Sequence, residues 1–249
     1  MRNTRRVSGI AAGLAAAALA ACSSPSSPSA AASTTGSSSA GTDASALYSK
    51  FQSAVTVTMD ATTVTLRANG TPDHPSPYWG VGNANYETPH AGMQVNPNLI
   101  VAQTLTLRVP RSPASATASD TPLGAIGLAV NGVAIFNQYA AGRSPLGQEI
   151  LSFDRYNGHP QNTGMYHYHV EPLWLTSNRG ASSLIGVLLD GFPVYGPRET
   201  DGSTPSGLDT CNGHTHATPE VPAGIYHYHV VATTPYISGC YRGTPGSAG

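Results

Sequence analysis

The segment Gly164-Met165-Tyr166-His167-Tyr168-His169-Val170 returns almost unchanged as Gly224-Ile225-Tyr226-His227-Tyr228-His229-Val230. Each copy alternates strictly and is rich in Tyr, Ile and Val, which favour a pleated backbone, so both are predicted to be β-strands. Residues two apart on a strand share a face, so the histidines of each copy point to one side and the tyrosines to the other. Four of the nine histidines lie in these two strands.

The repetition extends beyond the two strands. Residues 126–137 align with residues 185–196, and residues 154–159 align with residues 209–214. The order is the same in both copies, and self-similarity of this kind indicates a duplicated unit. We predict repeats at about 123–175 and 182–243, each of about 60 residues. Each repeat would contain a hairpin, a loop ending in Asn-Gly-His, and a Tyr-His-Tyr-His strand.

The N-terminal region has the features of an export signal. Three arginines precede an apolar run that is too short to span a bilayer and that ends in Leu19-Ala20-Ala21-Cys22. This pattern resembles a bacterial lipobox, so we predict a signal peptide at 1–21 and a lipid on Cys22. A plain signal peptide cut at Ala-x-Ala is the alternative. The Ser-rich segment 22–45 is predicted to be a disordered tether, and 46–249 the folded domain.

Composition excludes some partners. Cleavage before Cys22 removes three Arg and no acid, which leaves nine basic residues (12 − 3) against 13 acidic ones, a net charge of −4. Phosphate binding needs clustered Lys or Arg, so nucleic acid is not an expected partner. We expect an exported protein held by its lipid at the outer face of the cell membrane, with a protein or small-molecule partner left undefined.

The folded part is predicted to be all-β or nearly so, as a single β-sandwich or barrel-like domain. Alternating segments at 53–59, 62–68 and 99–109 predict N-terminal strands. The Ser-, Ala- and Pro-rich segment 111–122 is predicted to be an exposed loop. Asn131-Gly132 and Asp190-Gly191 each divide an apolar run, which favours type I′ hairpin turns. We expect no helix outside the signal peptide.

Two cysteines remain in the folded part, Cys211 and Cys240. An even pair in an exported chain favours a disulfide. The alternative is a thiolate metal site beside His214 and His216.

The histidine strands favour a metal site. Alternate histidines place two imidazoles on one face, roughly 7 Å apart at Cα, within reach of one ion. If the two repeats pack about a pseudo-twofold axis, both pairs could converge on a single site. Imidazole suits several transition metals, and we predict copper or zinc. The candidate ligands are His167, His169, His227, His229, His159 and His214.

Other residues were candidates for supporting roles. Tyr166, Tyr168, Tyr226 and Tyr228 would pack behind the histidines, with their hydroxyls available to the imidazoles. Asp154 and Asp209 could orient an imidazole or could each cap their own turn. The histidines themselves could be structural, bonding buried carbonyls. His74 and His216 were expected to be a loop and a surface histidine respectively.

Several motifs resemble one known family. The paired Tyr-His-Tyr-His strands, residues 69–74, residues 185–197 and residues 235–243 together resemble the YHYH-domain family of exported bacterial proteins. The resemblance covers about residues 64–243 and implies no settled activity. Tyr156 stands where the family tends to have a cysteine, and Trp174 stands near the expected partner position. Packing would then replace a disulfide in the first repeat.

Three functions are compatible with the sequence. The first is a lipid-anchored metal-binding protein. The second is an extracellular enzyme, such as a metal-dependent hydrolase, that uses the same histidines. The third is a surface module that binds glycans or proteins through exposed tyrosines.

Overall fold

The structure is a computed structural model that describes residues 41–249. The predicted signal peptide, Cys22 and nearly all of the predicted tether lie outside these residues. Ordered contacts begin slightly before the predicted boundary at residue 46. Asp43 forms an ion pair with Arg111 at 2.9 Å, and Ala44 is fully buried.

The described chain is built mainly from short strands. The strands are β1 (Val55–Met59), β2 (Thr63–Ala68), β3 (Leu105–Pro110), β4 (Ser115–Asp120), β5 (Ala125–Ala129), β6 (Ala134–Phe136), β7 (Gly158–Pro160), β8 (Tyr166–Tyr168), β9 (Leu184–Leu188), β10 (Pro193–Tyr195), β11 (Gly213–His216), β12 (Ile225–His229), β13 (Cys240–Gly243) and β14 (Ser247–Ala248). The helices are α1 (Leu173–Arg179) and 3-10 helices at Ser45–Lys50, Pro77–Trp79, Ala141–Arg143 and Glu149–Ser152. The all-β prediction is therefore confirmed.

Three sheets form a sandwich-like arrangement, and no closed barrel is present among residues 41–249, so the barrel-like alternative is not met. The largest sheet has eight strands in the order β11-β12-β10-β9-β5-β6-β8-β7. A second sheet has the order β1-β2-β3-β14, and β13 pairs with β4. The two halves of the large sheet are mirror images in strand order. Outward from the centre, the first repeat contributes β5, β6, β8 and β7, and the second contributes the equivalent strands β9, β10, β12 and β11.

The two repeats meet at the centre of the large sheet. Strands β5 and β9 run antiparallel, with Leu128 opposite Val187. These two residues are equivalent in the two repeats, so a pseudo-twofold axis passes between them. Gly127 and Gly186 allow this close approach, because a Cβ on Gly186 would lie 2.3 Å from the carbonyl oxygen of Leu128.

The side chains between the sheets form one hydrophobic core. It includes apolar residues of β2, β3, β5 and β9 together with the tyrosines of the Tyr-His-Tyr-His strands. Tyr166, Tyr168 and Tyr228 are fully buried, and Tyr226 is 6% exposed. The tyrosine face of each strand therefore contributes to folding.

Some local predictions were wrong. Residues 173–179 form a helix, and residues 115–120 form an exposed strand instead of a loop, because β13 supplies its hydrogen-bond partners. The Asn131-Gly132 and Asp190-Gly191 turns are not type I′. Only the glycines have positive φ, 87° and 84°. Each loop has three residues and ends in a glycine, which is a common alternative hairpin.

Candidate metal centres

Four residues of the first repeat bring their polar atoms together, and we call them the first centre: Glu149, His159, His167 and His169. His159 lies on β7 directly opposite His167 on β8, and His169 follows β8 on the same face. Glu149 opens a 3-10 helix in the long connection between β6 and β7. Antiparallel pairing and strand alternation thus place three imidazoles side by side.

Each imidazole of the first centre has its Nδ1 atom committed elsewhere. The Nδ1–H of His167 donates to the carbonyl of Met165 at 3.0 Å, and that of His169 to the carbonyl of Asn137 at 2.6 Å. His159 Nδ1 lies 2.8 Å from the Ser152 hydroxyl. That hydroxyl donates its own proton to the carbonyl of Glu149, so it accepts from His159. Neutral rings with Nδ1–H carry a lone pair on Nε2.

The three Nε2 atoms face one another. His167 Nε2 lies 3.1 Å from His159 Nε2 and 3.0 Å from His169 Nε2. A carboxylate oxygen of Glu149 lies 3.3 Å from His159 Nε2 and 3.9 Å from His169 Nε2. Lone pairs this close repel, and no proton remains to bridge them. A cation placed among the three atoms would relieve that repulsion with all three rings in place.

The second repeat builds an equivalent group, the second centre: Glu199, His214, His216, His227 and His229. All four Nδ1 atoms meet backbone carbonyls, at 2.7 to 3.0 Å. The carbonyls that hold His227 and His229, those of Ile225 and Gly196, are the repeat equivalents of those that hold His167 and His169. The imidazoles are therefore oriented by the sheet backbone itself.

Glu199 contacts three histidines of the second centre. Its oxygens lie 3.3 Å from His214 Nε2, 3.2 Å from His216 Nε2 and 3.4 Å from His229 Nε2. The Nε2 atoms of His214 and His229 are buried and make no hydrogen bond within the described part of the chain. Buried polar atoms in native proteins are nearly always satisfied, and this unpaired pair belongs to a group that could hold a metal ion.

Burial favours the neutral form of His167, His169 and His227. Burial holds the pKa of His167 well below its usual value, with the neighbouring His159 and His169 adding to the shift. Burial also lowers the pKa of His169 to about 4 and the pKa of His227 to about 3. Neutral imidazole is the form that binds metal, so protons compete weakly for these nitrogens near neutral pH.

The chelator-treated chain is expected to lose stability as the pH falls from about 6.5 towards 4. An unfolded histidine takes up its proton with a pKa of about 6.5, whereas folded His169 resists protonation down to a pKa of about 4. The unfolded chain binds more protons throughout this window, so the free energy of unfolding falls by on the order of 3 kcal/mol from this residue alone. Urea unfolding at about pH 7 and about pH 4.5 measures the loss. Equal stabilities at the two pH values would contradict the expectation, and His169→Gln should weaken the dependence.

The two centres are separate, so the expectation that both histidine pairs could converge is wrong. The predicted pseudo-twofold exists, but it relates β8 and β12 across the sheet. Four strands, β6, β5, β9 and β10, lie between them. At about 4.8 Å per strand, this places β8 and β12 about 24 Å apart.

The aromatic face behind the histidines forms its own hydrogen-bond network. Tyr166 donates to Asp154 at 2.8 Å, and Tyr226 donates to Asp209 at 3.0 Å. Both aspartates also accept backbone N–H groups of the loops that they begin. The idea that these aspartates orient an imidazole is therefore wrong, and the alternative, that each caps its own turn, is confirmed.

The other two tyrosines also bond away from the centres. Tyr228 donates to Asp190 at 2.6 Å, and the Tyr168 hydroxyl lies 3.1 Å from His74 Nε2 and 3.2 Å from the Asn131 amide. His74 lies on a loop, as predicted, but it is buried and packs against aromatic rings. The tyrosine hydroxyls do not contact the imidazoles of the two centres, because strand alternation sends them to the opposite face.

A family model for the YHYH protein matches residues 106–206 and 198–243. The chain belongs to the YHYH protein family. This is an extracytoplasmic family, and the match includes every residue of both centres. No curated protein and no solved structure matches the chain. None of the helices within residues 41–249 is long and apolar enough to cross a membrane.

This YHYH protein also contains the predicted disulfide. Cys211 and Cys240 are bonded, with their Cα atoms 5.0 Å apart, so the thiolate alternative is excluded. In the first repeat, Tyr156 packs edge-on against Trp174 with ring centroids 5.1 Å apart, and His74 packs against both at tilted angles. Aromatic packing thus stands where the first repeat departs from the usual family pattern.

Sequence reasoning missed three members of the centres: Glu149, Glu199 and His216. The prediction that His216 is a surface residue is met, since its side chain is 42% exposed, yet His216 also lies within the cluster. The predicted turn positions of His159 and His214 were also wrong. Both lie on strands, and the residues with positive φ are Asn157 and Asn212, two positions earlier. The sequence did contain a clue to Glu149 and Glu199, because each is the single Glu in the connection that leads to Asn-Gly-His.

Proposed function

We propose that this YHYH protein is an extracytoplasmic transition-metal-binding protein with two centres, each of which takes copper or zinc. The observation that carries the proposal is the convergence of three Nε2 atoms at 3.0 and 3.1 Å in the first centre, with every Nδ1 held by an acceptor. Ligands that surround an ion tetrahedrally at about 2.0–2.1 Å lie about 3.3 Å from one another. The observed spacing is close to that value.

The donor atoms support the choice of metal. Imidazole nitrogens dominate both centres, and each centre adds one carboxylate. Calcium and magnesium prefer all-oxygen shells, whereas nitrogen-rich shells suit zinc and copper. Glu149 would supply the anionic ligand in the first centre and Glu199 in the second. A bound ion in either place would add its binding free energy to the stability of the fold.

The tyrosine-based binding module has little support. It requires accessible tyrosines on the paired strands, and all four of these side chains are 6% exposed or less. Their hydroxyls are used within the core. The histidine faces, by contrast, line cavities.

Elemental analysis tests the proposal. The chain purified without chelator, or reconstituted with zinc or copper and desalted, is expected to hold two ions per chain. We expect two equivalents of metal because the two clusters share no residue. A folded chain that holds less than half an equivalent of either metal after reconstitution would overturn the proposal.

The lipid anchor at Cys22 is part of this proposal and has its support in residues 1–22. Acylation would hold the two centres near the outer face of the cell membrane, at the end of a Ser-rich tether. We expect the Cys22→Ala variant to move from the membrane fraction to the soluble fraction of cells that export it. A variant that stays with the membrane would show that another feature holds the protein there.

A further inference from the structure

The two centres differ in the space beside them. A cavity of about 600 Å³ opens onto the first centre and reaches Glu149 and all three of its histidines. This volume lies within the range of small-molecule sites. The second centre has a gap of only about 10 Å³ at His216, His227 and His229.

The outer side of the second centre offers a different surface. A more open depression of about 350 Å³ touches Glu199, His214 and His216. Its other walls are small or polar, from Thr200, Asp201, Ser206 and Ala217. It provides no aromatic or large apolar side chain against which an organic molecule could pack.

The sequences of the two repeats explain this difference. Gln161 is the first residue after β7, and its counterpart in the second repeat is His216, the last residue of β11. The backbone N–H of Gln161 donates to the carbonyl of Met165, and His216 likewise lies opposite Ile225, the counterpart of Met165. The first centre therefore has an amide at the cavity wall where the second has another imidazole. The connection before β7 is also longer, with 21 residues at 137–157 against 17 at 196–212, and part of it forms the cavity wall.

The cavity walls define a chemical class of ligand. Phe136 stacks on His167 with ring centroids 3.9 Å apart and lines the cavity together with Leu123. Amide side chains, including Asn98 and Gln161, supply neutral donors and acceptors. Apart from the three histidines, Glu149 is the only ionisable residue of the centre or its walls with a full charge, and no Lys or Arg lines the cavity. The cavity walls outside the centre therefore carry no charged side chain.

We propose that the first centre binds a small, partly apolar organic molecule that reaches the metal through an oxygen atom. Its apolar part would pack against Phe136 and Leu123, and its polar groups would meet the cavity amides. The second centre would hold metal without such a ligand. This inference rests on the proposed function, because it requires metal at the first centre.

Cobalt(II) provides the test, since its visible spectrum responds to a change of ligand. Full-length protein loaded with cobalt would be titrated with benzohydroxamic acid, an aromatic molecule whose two oxygen atoms bind a metal ion with release of one proton to solvent. The His227→Ala/His229→Ala variant, which keeps the first centre, is expected to give a saturable spectral change. The His167→Ala/His169→Ala variant, which keeps the second, is expected to give none. Wild type should show the change in about half of its cobalt.

A cavity variant serves as the matched control. Leu123 is 47% exposed at the cavity wall and is not a ligand, so Leu123→Trp should retain cobalt while it fills the cavity. We expect its affinity for benzohydroxamic acid to fall at least ten-fold. Absence of cobalt from every form would refute the proposed function. Bound cobalt whose first-centre spectrum is unmoved, or an equal response from both centres, would refute this inference alone.

Discussion

The His167→Ala/His169→Ala variant is expected to bind one transition-metal ion per chain instead of two, and the His227→Ala/His229→Ala variant is expected to bind the other one. Each double substitution removes two of the converging Nε2 donors from one centre and leaves the other centre intact. Loss of two imidazole ligands should weaken binding at that centre by more than about 100-fold, since even changes outside the ligand shell cost 10–100-fold. Isothermal titration with zinc, together with elemental analysis, gives both the stoichiometry and the affinity.

A control variant separates this effect from general loss of histidine. His90 is exposed and lies outside both centres, with its ring nitrogens near the carbonyls of Ala91 and Phe153. His90→Gln should therefore keep two ions. A double variant that loses both ions while it remains folded would show that the centres are interdependent. A double variant that keeps both metal ions would show that these histidines do not bind metal.

The sequence was sufficient to predict the strands that carry the histidines, because strict alternation has one structural meaning on a pleated backbone. It was also sufficient to predict the duplication. The sequence did not show how the two copies are joined. Antiparallel pairing of β5 with β9 places the histidine strands at opposite ends of an eight-stranded sheet. Nothing local to the Tyr-His-Tyr-His motif encodes that long-range register.

Part of each centre could also be predicted. His159 and His214 were grouped with the strand histidines because both repeats preserve Asn-Gly-His. Glu149 and Glu199 were overlooked because they lie in irregular connections, 10 and 15 residues before these histidines, where no periodicity marks a side-chain direction. The second repeat alone extends its strand by one further histidine, His216, and alternation along β11 would have placed it beside His214.

The disulfide has a defined place in the second repeat. Cys211 lies in the loop that leads into β11, and Cys240 begins β13. The bond therefore attaches the loop before His214 to a strand of another sheet. Ser238 reinforces the same junction, because its hydroxyl lies 2.9 Å from the carbonyl of Cys211 and 2.6 Å from that of Cys240.

The Cys211→Ala/Cys240→Ala variant is expected to lose about 3.6 kcal/mol of unfolding free energy, from the chain entropy that a bond across 29 positions removes from the unfolded state. Guanidinium unfolding of chelator-treated wild type and variant measures the loss. Reductant should destabilise wild type by a similar amount and leave the variant unchanged, which separates the bond from the packing of the two side chains. Because Cys211 precedes His214 by three residues, metal affinity should fall at the second centre and not at the first. Equal stability of wild type and variant would contradict the prediction. It would mean that packing alone holds the loop before β11, in the way that the first repeat uses the Tyr156 and Trp174 contact.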